Sequence, residues 1–83
     1  MVKKRLSDGT ECPKCAEATQ FLQSKGVWAE ISDVLWYDET QPGSAGQVMA
    51  ERFGMTRAPF FVVEREGRDP EALDSVMRVY KLL

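Results

Sequence analysis

The chain has 83 residues, of which 43% are hydrophobic and 29% charged, as is ordinary for one small globular domain. Its 11 basic and 13 acidic residues give a formal charge of −2, so the charge balance gives no reason to expect nucleic acid or an anionic membrane as a partner. The absence of histidine excludes a Cys–His nucleophile pair and a mixed Cys/His zinc site within one chain.

No apolar run approaches the ~20 residues that a membrane-spanning helix needs. The basic start of the chain lacks the apolar stretch that follows such residues in a signal peptide. We therefore expect a cytoplasmic protein, in which a structural disulfide is uncommon.

The first half of the chain is predicted to form a strand, a helix and a second strand. Apolar and charged residues alternate over residues 2–6, which favours a strand, and its Lys3-Lys4-Arg5 stretch is interpreted as a solvated face. A helix begins at Cys12 or Pro13, because proline suits the first helical turn, and it ends before Gly26. Aromatic and β-branched side chains predict the second strand over residues 27–33.

The second half is harder to interpret at its start. Residues 34–37 either extend the second strand or form a separate turn, and the polar residues 38–43 indicate a loop, with Ser44 as a candidate helix cap. The remaining predicted elements are a helix, a buried strand, an edge strand and a final helix, over residues 47–53, 60–64, 69–73 and 74–82.

The cysteines of the chain form one motif, Cys12-Pro13-Lys14-Cys15. The start of a helix supplies unpaired N–H groups and about half a positive charge, which can lower a cysteine pKa from about 8.5 to between ~3.5 and ~7.5. Cys15 shares a helix face with Leu22, so Cys15 is predicted to point inward and Cys12 outward. In a reducing compartment this spacing predicts a redox-active or metal-binding pair.

The element order β-α-β-α-β-β-α, the Cys12–Cys15 motif and a proline before the apolar strand together resemble the glutaredoxins of the thioredoxin-fold superfamily. The stretch Phe53-Gly54-Met55-Thr56-Arg57-Ala58-Pro59 leading into Phe60-Phe61-Val62-Val63 and the final helix carry the rest of the likeness. The resemblance implies one thioredoxin-like α/β domain over residues 1–83, with a four-stranded mixed sheet flanked by three helices. It also implies a monomer that carries no bound cofactor or metal.

The resemblance further implies a cis peptide bond at Pro59, which would bring the Ala58 backbone beside the thiols to pair with an extended peptide or glutathione. Cys12 would attack a disulfide and Cys15 would resolve the product. Pro13 would fix the turn, and the charge of Lys14 would favour the thiolate. Arg57, Asp74 and Ser75 are candidates for binding the substrate, which would be a protein disulfide or a glutathione mixed disulfide.

The chain also departs from the glutaredoxin pattern. Lys14 replaces an aromatic residue, Asp8 and Glu11 stand in a loop that usually carries a basic residue, and Ala72-Leu73 replaces a glycine pair. The negative charge of Glu11 is expected to oppose a thiolate at Cys12. Either glutathione, as a co-substrate, or a reductase is therefore a candidate electron donor.

Two other functions are compatible with the sequence. Two chains could share their cysteine pairs in a four-thiolate site for zinc or an iron–sulfur cluster. Alternatively, the domain could be a redox-inert adaptor that binds other proteins.

Overall fold

Helices and strands alternate along the chain in the computed structural model, which describes residues 1–83. They are β1 (Val2–Arg5), α1 (Pro13–Ser24), β2 (Leu35–Asp38), α2 (Ala45–Phe53), β3 (Phe61–Val63), β4 (Glu71–Leu73) and α3 (Val76–Leu82), with a 3-10 helix, Trp28–Glu30, between α1 and β2. The α/β class and the predicted order of strands and α-helices are confirmed.

The four strands form two small sheets. β1 and β2 are parallel, with Val2 opposite Leu35, whereas β3 and β4 are antiparallel, with Phe61 opposite Leu73. Two backbone hydrogen bonds join the sheets, from the Val2 N–H to the Phe60 C=O at 2.8 Å and from the Phe60 N–H to the Val2 C=O at 3.2 Å. Val2 therefore belongs to β1 and is also the point where the sheets meet.

The prediction of a second strand over residues 27–33 is wrong. Gly26 ends the turn after α1 with a φ of +71°, and the Val27 N–H donates to the Leu22 C=O at 3.1 Å. The 3-10 helix follows, and the strand begins only at Leu35. A strand parallel to β1 has to start level with Val2, and residues 27–34 bring the chain back to that point from the end of α1.

Two clusters of buried side chains make up the core. One packs α1 and α3 against β3 and β4, through Leu22, Phe61, Leu73 and Val79. The other packs α2 against β1 and the residue before β3, through Val2, Ala50 and Phe60. Burial of each Val, Leu or Phe side chain contributes about 1.5 to 3 kcal/mol, so the first cluster fixes α1 against β3 and β4 and the second fixes α2 against β1.

The interpretation of the basic stretch in β1 as a solvated face is wrong for Lys3. Only 7% of Lys3 is exposed, whereas Lys4 and Arg5 are half-buried. The rings of Trp28 and Trp36 cover Lys3, with their centroids 5.7 and 5.2 Å from its Nζ. The burial depends on β2 and the 3-10 helix, which approach β1 only in the folded chain.

The segment 34–46 forms β2, a turn and the first residues of α2. Ser44 precedes α2 as predicted, but its hydroxyl accepts the Asp38 N–H at 3.0 Å rather than an N–H of the helix. Gly46 is buried, and a Cβ at this position would collide with the backbone of Trp36 and Tyr37. α2 can therefore lie directly on β2 because residue 46 has no side chain.

Candidate functional site

The cysteine motif is held at the start of α1 by a residue of β1. Cys12 is the last residue before the helix and Pro13 is the first residue within it. The Cys12 N–H donates to the Lys4 C=O at 2.9 Å, and the Lys4 N–H donates to the Cys15 Sγ at 3.3 Å. The backbone of Lys4 therefore positions both ends of the motif.

The two thiols are free, and they differ in exposure. Cys12 is half-buried, whereas Cys15 is completely buried, as is Leu22 on the same face of α1. The predicted inward direction of Cys15 is confirmed. One sulfur is therefore open to a reagent in solvent and the other is not.

The surroundings of Cys12 lower its pKa. Partial burial acts in the opposite direction, but interactions with the backbone N–H groups of Cys15 and Lys14 and with the Cys15 thiol favour the thiolate. The positive charge of Lys4 adds to these interactions. The start of the helix thus stabilises negative charge on the exposed sulfur.

The surroundings of Cys15 have the reverse effect. Burial is the main cause that raises the pKa of Cys15 from 9.0 to about 11, and the negative charges of Cys12 and Glu11 contribute to this rise. The hydrogen bond from the Lys4 backbone N–H opposes it. At neutral pH, Cys15 is therefore a thiol that can donate to the Cys12 sulfur.

The charged residues near the motif take different positions. Glu11 lies 2.6 Å from the Lys3 Nζ, and its negative charge raises the pKa of Cys15. Lys14 lowers the Cys12 pKa through its backbone N–H, and the cation that lowers it is Lys4. The opposing role of Glu11 at Cys12 and the charge role of Lys14 stay predictions.

A shallow groove of about 410 Å³ lies between the start of α1 and the start of α3. Its walls bring together three predicted site residues, Lys14, Pro59 and Asp74. The peptide bond between Ala58 and Pro59 is cis, as the resemblance implies. The other lining residues, mostly from α1, are Glu17, Ala18, Phe21 and Val76.

The other predicted substrate-binding residues do not line this groove. Arg57 is exposed, and Ala58 is half-buried beside Pro59. The Ser75 hydroxyl accepts the Arg78 N–H at 3.3 Å, so it caps α3. Its predicted role in binding a substrate therefore competes with a hydrogen bond inside the protein.

Lys3 and Lys4 are the site residues that sequence reasoning missed. Both lie in a basic stretch that is typical of a solvated strand, and neither is close to the cysteines along the chain. The pairing of Lys4 with Cys12 and Cys15 depends on how α1 is placed beside β1. A usable signal was Glu11. This acidic residue stands beside a cysteine in the sequence, and its own charge needs a cationic partner.

The two cysteines are the thiolate ligands that the chain can offer a metal ion. No group of three or more Cys, Asp or Glu side chains converges in the structure. None of the helices has the length and apolar content required to span a bilayer. Comparisons with protein-family models, curated proteins and solved structures found no match to this chain.

Proposed function

We propose that this protein is a thiol–disulfide oxidoreductase that uses Cys12 and Cys15 in a dithiol mechanism. The observation that carries the proposal is the contrast between the two thiols of one motif. Cys12 is accessible and has a lowered pKa, whereas Cys15 is buried and has a pKa of about 11. A nucleophile and a resolving thiol need these different properties.

The reaction consists of two exchanges. The Cys12 thiolate attacks one sulfur of a disulfide, forms a mixed disulfide and releases the other sulfur as a thiolate, which takes a proton from water. Cys15 then loses its proton to solvent and attacks the Cys12 sulfur, which releases the second substrate thiol. The substrate disulfide gains two electrons and two protons, and the protein ends with a Cys12–Cys15 disulfide.

Two further thiols have to return the protein to its reduced form, and they leave as a disulfide. In the cytoplasm, which is the compartment we propose, they come either from two glutathione molecules or from the dithiol of a reductase. The protein itself acts as a monomer and needs no resident cofactor or metal.

The groove between α1 and α3 is the proposed binding site for the substrate segment, and Lys14 in its wall is two residues from Cys12 in the chain. Lys14 and Pro59 lie in its walls, and Asp74 lies at the α3 end. An extended peptide in this groove can pair with the Ala58 backbone, as in the addition of a strand to a sheet edge. Arg57 and Ser75 would then contact the outer part of the segment.

The proposed fold family is the glutaredoxin type of the thioredoxin superfamily. Its four-stranded mixed sheet corresponds to the order β2–β1–β3–β4 in this chain. The hydrogen bonds between Val2 and Phe60 support that assignment, because they join β1 to the residue that precedes β3. The cis bond at Pro59 is a second feature in common.

Dithiol exchange fits the site better than either alternative function. A four-thiolate metal site shared by two chains needs both sulfurs at the surface, and Cys15 is completely buried. A redox-inert adaptor does not require a cysteine with a lowered pKa, as Cys12 has.

The test compares Cys12→Ser with Cys15→Ser in a single round of reduction of a peptide disulfide by each protein, reduced beforehand and freed of the reductant. We expect Cys12→Ser to abolish reduction without changing the circular dichroism spectrum. We expect Cys15→Ser to retain the first exchange and to accumulate a mixed disulfide on Cys12, detected by mass spectrometry. Full activity of Cys12→Ser would contradict the proposal, and loss of bound zinc or iron together with dimerisation would support the shared metal site instead.

A further inference from the structure

A buried cluster of charged and aromatic side chains surrounds Lys3, beside the cysteine motif. The Lys3 side chain is 9% exposed, and its Nζ lies 2.6 Å from the Glu11 Oε1. Trp28 and Trp36 cover the same ammonium, with ring centroids at 5.7 and 5.2 Å. A buried ammonium is costly unless it is paired, so Glu11 and the aromatic faces together stabilise it.

This cluster is connected directly to the reactive thiol. Glu11 forms an isolated β-bridge with Arg5, and the next residue, Cys12, donates its N–H to the Lys4 C=O. The Glu11 carboxylate is therefore carried by the same short segment that positions the Cys12 sulfur. An unpaired carboxylate on this segment would disfavour a thiolate on either cysteine.

We propose that Lys3, whose ammonium lies over Trp28 and Trp36, is a positioning residue that holds the Glu11 carboxylate in place and offsets part of its charge beside the cysteine motif. The biological purpose of this arrangement rests on the proposed thiol–disulfide function. The arrangement itself does not, because the position and charge of Glu11 can be measured without turnover. Lys3 acts through Glu11 and does not touch the reacting sulfurs.

A double-mutant cycle on Lys3 and Glu11 tests the proposal, with the pKa of Cys12 as the readout. The ultraviolet absorbance of the thiolate and the rate of alkylation by iodoacetamide both report that pKa. We expect Lys3→Met to raise the pKa of Cys12 by about half a unit to one unit, because an unpaired charge near the surface shifts a neighbouring pKa by about that much. We expect the Lys3→Met/Glu11→Gln double variant to return the pKa of Cys12 to within about 0.3 units of the wild type.

The size of the Glu11→Gln effect in the two backgrounds distinguishes positioning from a direct effect of the Lys3 charge. If Lys3 holds Glu11 in place, Glu11→Gln has a larger effect in the Lys3→Met background than in the wild type. Equal effects in both backgrounds, or no effect of Lys3→Met on Cys12, would overturn the proposal. Lys25→Met is the matched control, because it removes an exposed lysine that lies over Phe21 near the end of α1.

Lys3→Arg and Lys3→Gln keep the test decisive if Lys3→Met does not fold. Lys3→Arg preserves the charge and is expected to preserve the thiolate fraction of Cys12. Lys3→Gln keeps a hydrogen-bond donor without the charge and is expected to lower that fraction. The reverse ranking of these two variants would contradict the proposal. If Cys12→Ser abolishes disulfide reduction while the cycle is additive, only the role of Lys3 fails.

Discussion

The two connections from a parallel strand to the following helix begin with the same turn and end differently. After β1, the Thr10 N–H and hydroxyl donate to the Asp8 Oδ1 at 2.9 and 2.6 Å. After β2, the Thr40 N–H and hydroxyl donate to the Asp38 Oδ1 at the same two distances. Both connections therefore contain the same Asp-x-Thr turn, which local hydrogen bonds stabilise as the chain leaves the sheet.

The difference lies in the residue that precedes each helix. Before α2, the Ser44 hydroxyl accepts the N–H of Asp38, so the side chain ties the helix start to the strand. Before α1, the backbone of Lys4 makes the tie, and the sulfur of Cys12 takes no part in it. The comparison shows that the side chain before a helix is left free when backbone groups hold the helix start to the sheet.

The largest expected effect concerns the close approach of α2 to β2. Gly46→Ala places a Cβ against the Trp36 and Tyr37 backbone, which cannot rotate away, so we expect the free energy of unfolding to fall by about 3 kcal/mol or more. Urea denaturation measures the change. Gly43→Ala is the control, because its Cβ meets nothing within 4 Å and only its φ of +81° costs about 1 to 2 kcal/mol. Equal losses for the two variants would show that α2 does not lie directly on β2.

The next largest effect is the loss of stability at alkaline pH that Cys15 gives to the first connection. The unfolded chain releases the Cys15 proton near pH 9.0, and the folded protein keeps it until its pKa of about 11. The stabilisation from the buried thiol is therefore complete below pH 9.0 and is lost as the pH rises toward 11. We expect the unfolding midpoint of the reduced protein in urea to fall over this range.

Cys15→Ala is the control for the alkaline loss of stability. The other titratable groups are common to both proteins, so the difference between the two curves reports Cys15 together with its coupling to Cys12. Cys12 has the opposite sign, because its lowered pKa stabilises the protein above pH 9.0 and this contribution is lost as the pH falls through that lowered value. Parallel curves for the wild type and Cys15→Ala would show that burial does not perturb this thiol.

The smallest expected effect is a difference between the two Asp-x-Thr turns in how far the pKa of the aspartate rises. Hydrogen bonds from Thr10 lower the pKa of Asp8, and hydrogen bonds from Thr40 together with the charge of Arg5 lower the pKa of Asp38. We expect Thr10→Val to raise the pKa of Asp8 more than Thr40→Val raises that of Asp38, because Arg5 remains 3.5 Å from Asp38. Carboxyl titration by NMR measures both.

The turns also predict how stability responds to acid. A lowered carboxyl pKa stabilises the folded protein above pH 3.8, and this contribution is lost as the pH falls through the lowered value. Each Thr→Val variant should therefore lose less stability in acid than the wild type. A larger upward shift at Asp38 than at Asp8 would show that Arg5 contributes little to its turn.

Residues with strong local preferences made much of the fold predictable. Pro13 suits the first turn of α1, and Gly26 and Gly54 adopt positive φ angles where the helices before them end. The apolar run at residues 60–63 marks a buried strand because both of its faces are covered. The second strand was predicted too early because residues 27–33 have a strand-like composition. A strand that pairs with β1 can begin only after the chain has returned from the end of α1 to the level of Val2.

The sequence by itself determined where α1 begins, where α1 and α2 end, which cysteine faces the core, and that a motif at a helix start could form a thiolate. These properties depend on neighbours a few residues apart. Only the tertiary structure decided that Lys4 holds both cysteines, that Lys3 is paired with Glu11 and covered by two tryptophans, and that α2 rests on β2 at Gly46. The physical reason is that charge and steric contact act through space, and the partners of residues in β1 come from α1, β2 and the 3-10 helix.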